Sequence, residues 1–227
     1  LLIDGYDQMS PKYQKVFDDI IIDFISNLTE DEKLLLRSWT GYNFRNVNAI
    51  LRGNWNYEIN GRLTDENSFK YRKLASLISN IIYKYSLPKV NFISYRGVSI
   101  DAFSEYGITD INELNNLTGK YMYELGFSST SLLSETSYFN KDIGDGKKYN
   151  IQLKYLISEY YDSGTLLINN DLSYSINQNE YLINKDSLLK IVDVKLKDDN
   201  AFVTVVPIPN KIWNKESERE YNGSKSK

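Results

Sequence analysis

An α+β fold is predicted, with helices first and strands afterwards. Before Pro88 the apolar residues recur every three or four positions, the period of helices that bury one stripe. After Pro88 the pattern changes to short runs rich in Val, Ile, Tyr, Phe and Thr, parted by Gly, Asn and Asp, as in strands and turns. Helices and strands therefore segregate along the chain instead of alternating as βαβ units. With 227 residues, 41% of them hydrophobic, the chain fits one domain over 1–227. Its mainly helical part is 1–88, its mainly β part 89–210, and 211–227 is a polar, charged tail.

Ser10-Pro11 joins a capping residue to a proline at the first helical position, so a helix is expected over 12–27. Val16, Phe17, Ile20, Ile21, Phe24 and Ile25 form its buried stripe. Thr29 and Glu32 make a capping box that opens a second short helix through Leu34, Leu35 and Leu36. A third helical segment, 46–52, is stopped by Gly53. The longest helix is expected over 69–86, with Leu74, Leu77, Ile78, Ile81, Ile82 and Tyr85 on one face and Pro88 ending it. Trp39, Trp55 and Trp213 read as core or hinge anchors. Strands follow at 90–95, 126–132, 149–155, 165–168, 181–183, 188–196 and 201–206. A short helix capped by Asp110 is expected between 110 and 125, and Asp198-Asp199-Asn200 reads as the turn of a C-terminal hairpin.

Composition removes whole classes of chemistry. The chain has no cysteine, which excludes disulfides, thiolate nucleophiles and cysteine metal sites. Histidine is absent too, and with it serine–histidine hydrolysis, histidine-bound zinc and imidazole acid–base catalysis. No metal is expected. Carboxylates, Lys, Arg, Tyr, hydroxyls and amides remain, an inventory suited to losing a good leaving group beside one positioned carboxylate. A formal net charge of −3 argues against a nucleic-acid platform, and no apolar run is long enough to span a bilayer. The chain opens Leu1-Leu2-Ile3-Asp4 without a basic leader, which a mature secreted protein would also do, so localisation stays open at this level. Lack of cysteine suits export.

Three strings then carry the chemistry: Tyr95-Arg96-Gly97, Ser129-Thr130-Ser131 and Gln178-Asn179-Glu180. A carboxylate such as Glu180 can stabilise positive charge developing on a sugar carbon, as carboxylates do in glycoside cleavage. Ser129 and Ser131 alternate along a strand and share a face, with Thr130 on the other. One of these hydroxyls can hold Glu180 while the other shapes the pocket of the leaving group. A guanidinium at a strand end, Arg96, can pair bidentately with a pyrophosphate. Each string is common by itself; the ordered combination is specific.

In that combination the chain resembles the arginine–serine–glutamate class of mono-ADP-ribosyltransferase toxins. Within the class it resembles the Rho-modifying group typified by the botulinum exoenzyme C-three, over residues 39–206. The resemblance implies the ADP-ribosyltransferase fold, N-terminal helices packed on a two-sheet β-sandwich core with an NAD cleft. It implies NAD as substrate, Glu180 and Ser129 as catalytic residues, and side NAD glycohydrolase activity. Thr40-Gly41-Tyr42 followed by Val47-Asn48-Ala49-Ile50-Leu51-Arg52 resembles the family segment that contacts the adenosine and phosphates. Asn48 and Arg52 thereby join Arg96, Gly97, Thr130 and Ser131 as implied cofactor contacts. Relatives follow the Ser-Thr-Ser strand with an aromatic and an arginine. Here the sequence is Phe139-Asn140-Lys141, so Phe139 is expected to cover the nicotinamide and Lys141 to meet the phosphates without a bidentate fork.

Gln178 bears on the acceptor. Family members carry glutamine there for an asparagine-type amide and glutamate for arginine; a carboxamide can both donate to and accept from another carboxamide. The resemblance thus implies an Asn (or Gln) acceptor on a Rho-type GTPase. Ser175 stands where the family has an aromatic of the substrate-recognising turn, and Tyr174, one position earlier, takes that role. A monomeric bacterial toxin or effector is implied, secreted and acting in the host-cell cytosol, its delivery left to a separate component, another secretion system or segments outside this sequence. Three alternatives stay open: a guanine-modifying enzyme with the same glutamine, an actin-modifying enzyme, and a catalytically silent binding module.

Overall fold

In the computed structural model, which describes residues 11–53, 65–136, 138–142, 144–167, 172 and 179–211, the first apolar stripe becomes α1, Pro11–Asn27. Phe17, Ile21 and Phe24 are buried, with Ile20 and Ile25 half-buried beside them. Phe17 meets Phe92 edge to face at 5.9 Å, tying α1 to the first strand. The expected capping box opens α2, Glu30–Ser38: Glu32 N donates to Thr29 Oγ1 at 3.2 Å and Thr29 N donates to the Glu32 carboxylate at 2.9 Å. A wide π-type turn, Trp39–Asn43, opened by the non-helical Gly41, leads into α3, Phe44–Leu51, and Gly53 at φ 72° stops it.

The long helix α4 runs Asp65–Lys84, starting and ending earlier than expected. Lys84 pairs with Glu32 at 2.9 Å and the Tyr85 hydroxyl donates to Asn27 O at 2.8 Å, which locks α4 onto the α1–α2 junction. Ala75, Ile78, Ile81 and Ile82 are buried. Val16 and Leu77, both expected on buried faces, are exposed. Each is one residue, about 100° of helix, from the centre of its face at Phe17 or Ile78, and so falls on the flank.

Among the described residues eight strands follow: β1 Phe92–Val98, β2 Tyr121–Glu124, β3 Ser128–Ser131, β4 Ile151–Ile157, β5 Gly164–Leu167, β6 Glu180–Ile183, β7 Ser187–Lys197 and β8 Asn200–Pro207. They hydrogen-bond in the order β2-β7-β8-β4-β1-β3-β6-β5, with β4 and β8 parallel and the other pairs antiparallel. β1 and β4 pair from Phe92↔Ile157 to Val98↔Ile151, whereas β1 meets β3 at the single pair Tyr95↔Ser131 among the described residues. Where two separate sheets were expected, β2-β7-β8-β4-β1 and β3-β6-β5 are joined at one bridge into a single eight-stranded mixed sheet. Tyr181, Ile183 and Leu166 of the smaller part pack with Leu153, Tyr155, Val203 and Val205 of the larger one. On the opposite face Leu182 and Leu167 pack with Trp39, Ile78 and Ile82 of the helices. Glu180 has the parity of Leu182 and so belongs to the helix-facing side.

Three expectations need correction. The helix between 110 and 125 is a tight 3₁₀ segment, Ile111–Leu117, capped as expected by Asp110; the chain then turns at Gly119, φ 83°, and 121–124 is strand. Met122 alone of those four is buried, the alternation of an edge strand. A second 3₁₀ segment, Ile100–Tyr106, follows β1 where none was expected. The strand expected from 126 starts at Ser128, because the backbone of Phe127 bonds a side chain of α3 instead of a neighbouring strand. The hairpin turn is as read, with Lys197 paired to Asn200 across Asp198 and Asp199. Among the described residues no helix is long and apolar enough to cross a membrane. Residue 168, Trp55, Trp213 and most of the tail lie outside the described residues.

Gly164 of β5 lies against the buried Tyr181 phenol, and a Cβ there would run into the ring. Gly164→Ala is expected to destabilise the protein by about 1–3 kcal/mol through overpacking, read as a lower urea midpoint with an unchanged slope.

Candidate active site

Glu180 begins β6, directly opposite Ser131 of β3. Ser129 shares the face of Ser131, and its hydroxyl donates a short hydrogen bond to Glu180 Oε1. The indole of Trp39, held by edge contacts to Phe127 at 4.8 Å and Phe44 at 6.3 Å, also favours the charged form of this carboxyl. Trp39 is the core anchor expected, and it acts on the carboxylate as well. With only 7% of its surface exposed, Glu180 has its carboxyl pushed above the usual carboxylate range by burial; the hydrogen bond from Ser129, the Trp39 indole and the charge of Arg96 act against that rise. Such a carboxylate is oriented yet poorly solvated, so positive charge forming beside it is strongly stabilised.

Arg96 enters from β1 across the single bridge. Its Nη1 donates to Ser128 Oγ at 2.8 Å, the residue before Ser129, and stands 3.9 Å from Glu124 Oε2. Nearby lies the fully buried Tyr155, whose phenol feels the charge of Arg96. Burial raises that phenol, which therefore stays neutral beside the cation. Arg52 caps the end of α3, and its Nε donates to Glu124 Oε1 at 2.9 Å. The two arginines expected to meet the phosphates are thus neighbours around one carboxylate, although they come from a helix end and a strand.

Asn48, one turn before Arg52, is buried and its amide closes a ring with the Phe127 backbone. Nδ2 donates to Phe127 O at 3.1 Å and Phe127 N donates to Oδ1 at 2.8 Å. It is therefore a clamp on the start of β3, not a side chain free to meet a cofactor with its full amide. Gly126 lies under the same residues: a Cβ there would stand 2.8 Å from Asn48 Oδ1 and 3.0 Å from Arg52 Nε.

The remaining candidates divide. Ser131 faces the site, and its hydroxyl accepts from Leu133 N at 3.0 Å. Thr130, grouped with the cofactor contacts, points the other way; it is buried and donates to Tyr181 O at 2.8 Å, a consequence of strand alternation. Gly97 is buried in β1 opposite Gln152. Phe139 rests on Phe202 of β8 with ring centres 5.4 Å apart. In the sheet order β8 is four strands from β6, so in this arrangement Phe139 does not cover the pocket of Glu180. Lys141 is exposed in the same turn. Gln178, Tyr174 and Ser175 lie outside the described residues. Sequence reasoning missed Glu124, Ser128, Tyr155 and Gly126. A period-two reading of 121–124 would have exposed the strand that carries Glu124.

The family model for ADP-ribosyltransferase exoenzymes matches residues 14–207, nearly all of the elements just described. The chain belongs to the ADP-ribosyltransferase exoenzyme family. Solved structures agree on the fold. C3stau2 from S. aureus, with NAD, has a TM-score of 0.66 at 18% identity, covering 85% of this chain and 92% of that one. The Clostridium limosum C3 exoenzyme has 0.66 at 18%, covering 92% and 97%. The enzymatic component C2-I of the Clostridium botulinum C2 toxin has 0.64 at 22%, covering 91% of this chain and 49% of that one. Among curated proteins none matches the sequence with significance. Within this fold Ser129 hydrogen-bonds Glu180, and Arg96, bonded to the neighbouring Ser128, lies near enough for its charge to act on that carboxylate.

Burial of Glu180 has a consequence for stability. A carboxyl whose pKa is higher folded than unfolded binds its proton more tightly in the native state, so its contribution falls as pH rises from the unfolded value, about 4.3, through the folded one. Glu180→Gln is therefore expected to melt higher than the native protein at pH 7, with the gap closing below about pH 4. A lower melting temperature at pH 7 would contradict this account.

Proposed function

We propose that this chain is an NAD-dependent mono-ADP-ribosyltransferase, a bacterial toxin or effector that modifies an Asn (or Gln) side chain of a Rho-type GTPase. The observation that carries this reading is a buried carboxylate, Glu180, gripped by Ser129 and lying within the field of Arg96, in a chain of the ADP-ribosyltransferase family. NAD supplies a ribosyl carbon whose leaving group is nicotinamide. Arg52 and Arg96 suit its pyrophosphate, since both already lie against one anion, the Glu124 carboxylate, at 2.9 Å and 3.9 Å. Glu180 stabilises positive charge on the ribose as nicotinamide departs, and Ser129 and Trp39 keep the carboxylate aimed. An amide nitrogen is a weak nucleophile, so transfer depends on holding the acceptor close. Gln178, two residues before Glu180, is assigned to that task through paired amide hydrogen bonds, with Tyr174 contacting the target protein. Water in place of the acceptor gives NAD glycohydrolysis.

The C3 exoenzymes among its structural relatives support this branch of the family. Secretion and action in the host-cell cytosol follow from the same reading. C2-I is the enzymatic component of its toxin, which supports delivery of the present chain, as a monomer, by a separate component.

Nicotinamide release from NAD by purified protein is the first test, with Glu180→Gln expected to lower kcat by about 10²–10³. Absence of release from the native protein at high concentration would sink the enzymatic reading. Labelled NAD with Rho-type GTPases, actin and DNA decides the acceptor: label on actin or DNA and on no GTPase would overturn the assignment. Gln178→Ala and Gln178→Glu are expected to lose transfer while keeping most NAD hydrolysis, and equal loss of both would remove the acceptor role from Gln178.

A further inference from the structure

Glu124 ends β2, a strand no motif pointed to, and its carboxylate is the meeting point of the arginine pair. Oε1 accepts from Arg52 Nε at 2.9 Å and from the Gly126 backbone N–H at 2.8 Å. Oε2 stands 3.9 Å from Arg96 Nη1, which also donates to Ser128 Oγ at 2.8 Å. The side chain is only 21% exposed. Its backbone anchor distinguishes it from a loose surface ion pair, whose two long side chains must both be ordered for little gain. Two guanidiniums drawn into one cleft repel one another, and a shared carboxylate removes that repulsion and sets their separation. The contact to Arg52 uses Nε, and among the described residues no partner takes the two terminal nitrogens of its fork. Gly126 completes the cradle, since a Cβ there would lie 3.0 Å from Arg52 Nε and 3.1 Å from its Cζ.

We propose that Glu124 is a positioning residue for the NAD donor: it holds Arg52 and Arg96 by their inner edges so that their outer edges face the incoming pyrophosphate. The proposal rests on the reading of those two arginines as the pyrophosphate contacts. Glu124 touches neither Ser129 nor Glu180 in the described contacts, so its influence falls on binding and not on the bond-breaking step.

The test uses the full chain and ADP-ribose, which carries the pyrophosphate but no nicotinamide, with adenosine as the probe that lacks phosphates. Calorimetry of Glu124→Ala should show ADP-ribose bound about tenfold more weakly, about 1.4 kcal/mol, with adenosine unchanged. KM for NAD should rise by a similar factor while kcat stays within about threefold. Glu124→Gln, whose amide oxygen can still accept from Arg52 and Gly126, should recover most of the affinity. Gly126→Ala, which leaves the carboxylate in place but crowds Arg52, should weaken ADP-ribose like Glu124→Ala. ADP-ribose bound by Glu124→Ala as tightly as by the native protein, or more tightly, would overturn the proposal. So would equal weakening of adenosine, or a loss confined to kcat. If native protein binds ADP-ribose, Glu124→Ala does not, and neither releases nicotinamide from NAD, the positioning role stands and the turnover reading falls. If native protein fails to bind ADP-ribose, both fall.

Discussion

Removing the Glu180 carboxylate from water while leaving it the Ser129 hydroxyl as donor and the Trp39 indole beside it sets the terms for the rest of this site. With no donor, burial would protonate the group and its charge would vanish; with free access to water, its field would be screened. The intermediate condition needs a hydroxyl from β3 and an indole from the turn after α2, delivered to the same oxygen-bearing edge of β6. Strand register supplies the first, since Ser129 and Ser131 share the face opposite Glu180. Helix packing supplies the second, through the contact of Trp39 with Phe127. Departure from helical geometry at Gly41, immediately beyond Trp39, belongs to the same arrangement, because wide turns of this kind re-aim side chains near functional positions.

The single bridge between β1 and β3 performs the matching task for Arg96. One pair, Tyr95 with Ser131, joins the strands there among the described residues, and beside it Arg96 bonds Ser128 and approaches Glu124. Just ahead of β3, the Phe127 backbone is held by Asn48 of α3 through both of its amide hydrogen bonds. Helix α3 therefore does two things within one turn, clamping the strand with Asn48 and presenting Arg52 to the cleft. The segment 47–52 thus combines the core residues Val47, Ala49 and Ile50 with the clamp Asn48 and the ion-paired Arg52.

Local rules were readable wherever the cause is local. Thr29 with Glu32 and Asp110 with Glu113 cap their helices because the partners lie three residues apart, and the Asp198–Asp199 turn follows from adjacent strands. Errors occurred where neighbours in space decide. Val16 and Leu77 are apolar and correctly spaced, yet among the described residues they stay exposed on the flank of their faces. Phe139 has the position in sequence of a cofactor-covering aromatic, but Phe202 of β8 provides the surface it packs on. Thr130 shares a string with the site serines and faces the core, as strand alternation requires.

From the sequence alone came the order of helices before strands, the residue types available for catalysis, and the three strings whose combination marks an ADP-ribosyltransferase, because periodicity, composition and short motifs are properties of neighbouring residues. The tertiary structure alone decided that Asn48 clamps Phe127, that Trp39 joins Ser129 on Glu180, and that Glu124 stands between Arg52 and Arg96. Those contacts join residues 28 to 141 positions apart, and only the meeting of the turn after α2 with α3, β1, β2, β3 and β6 brings them together.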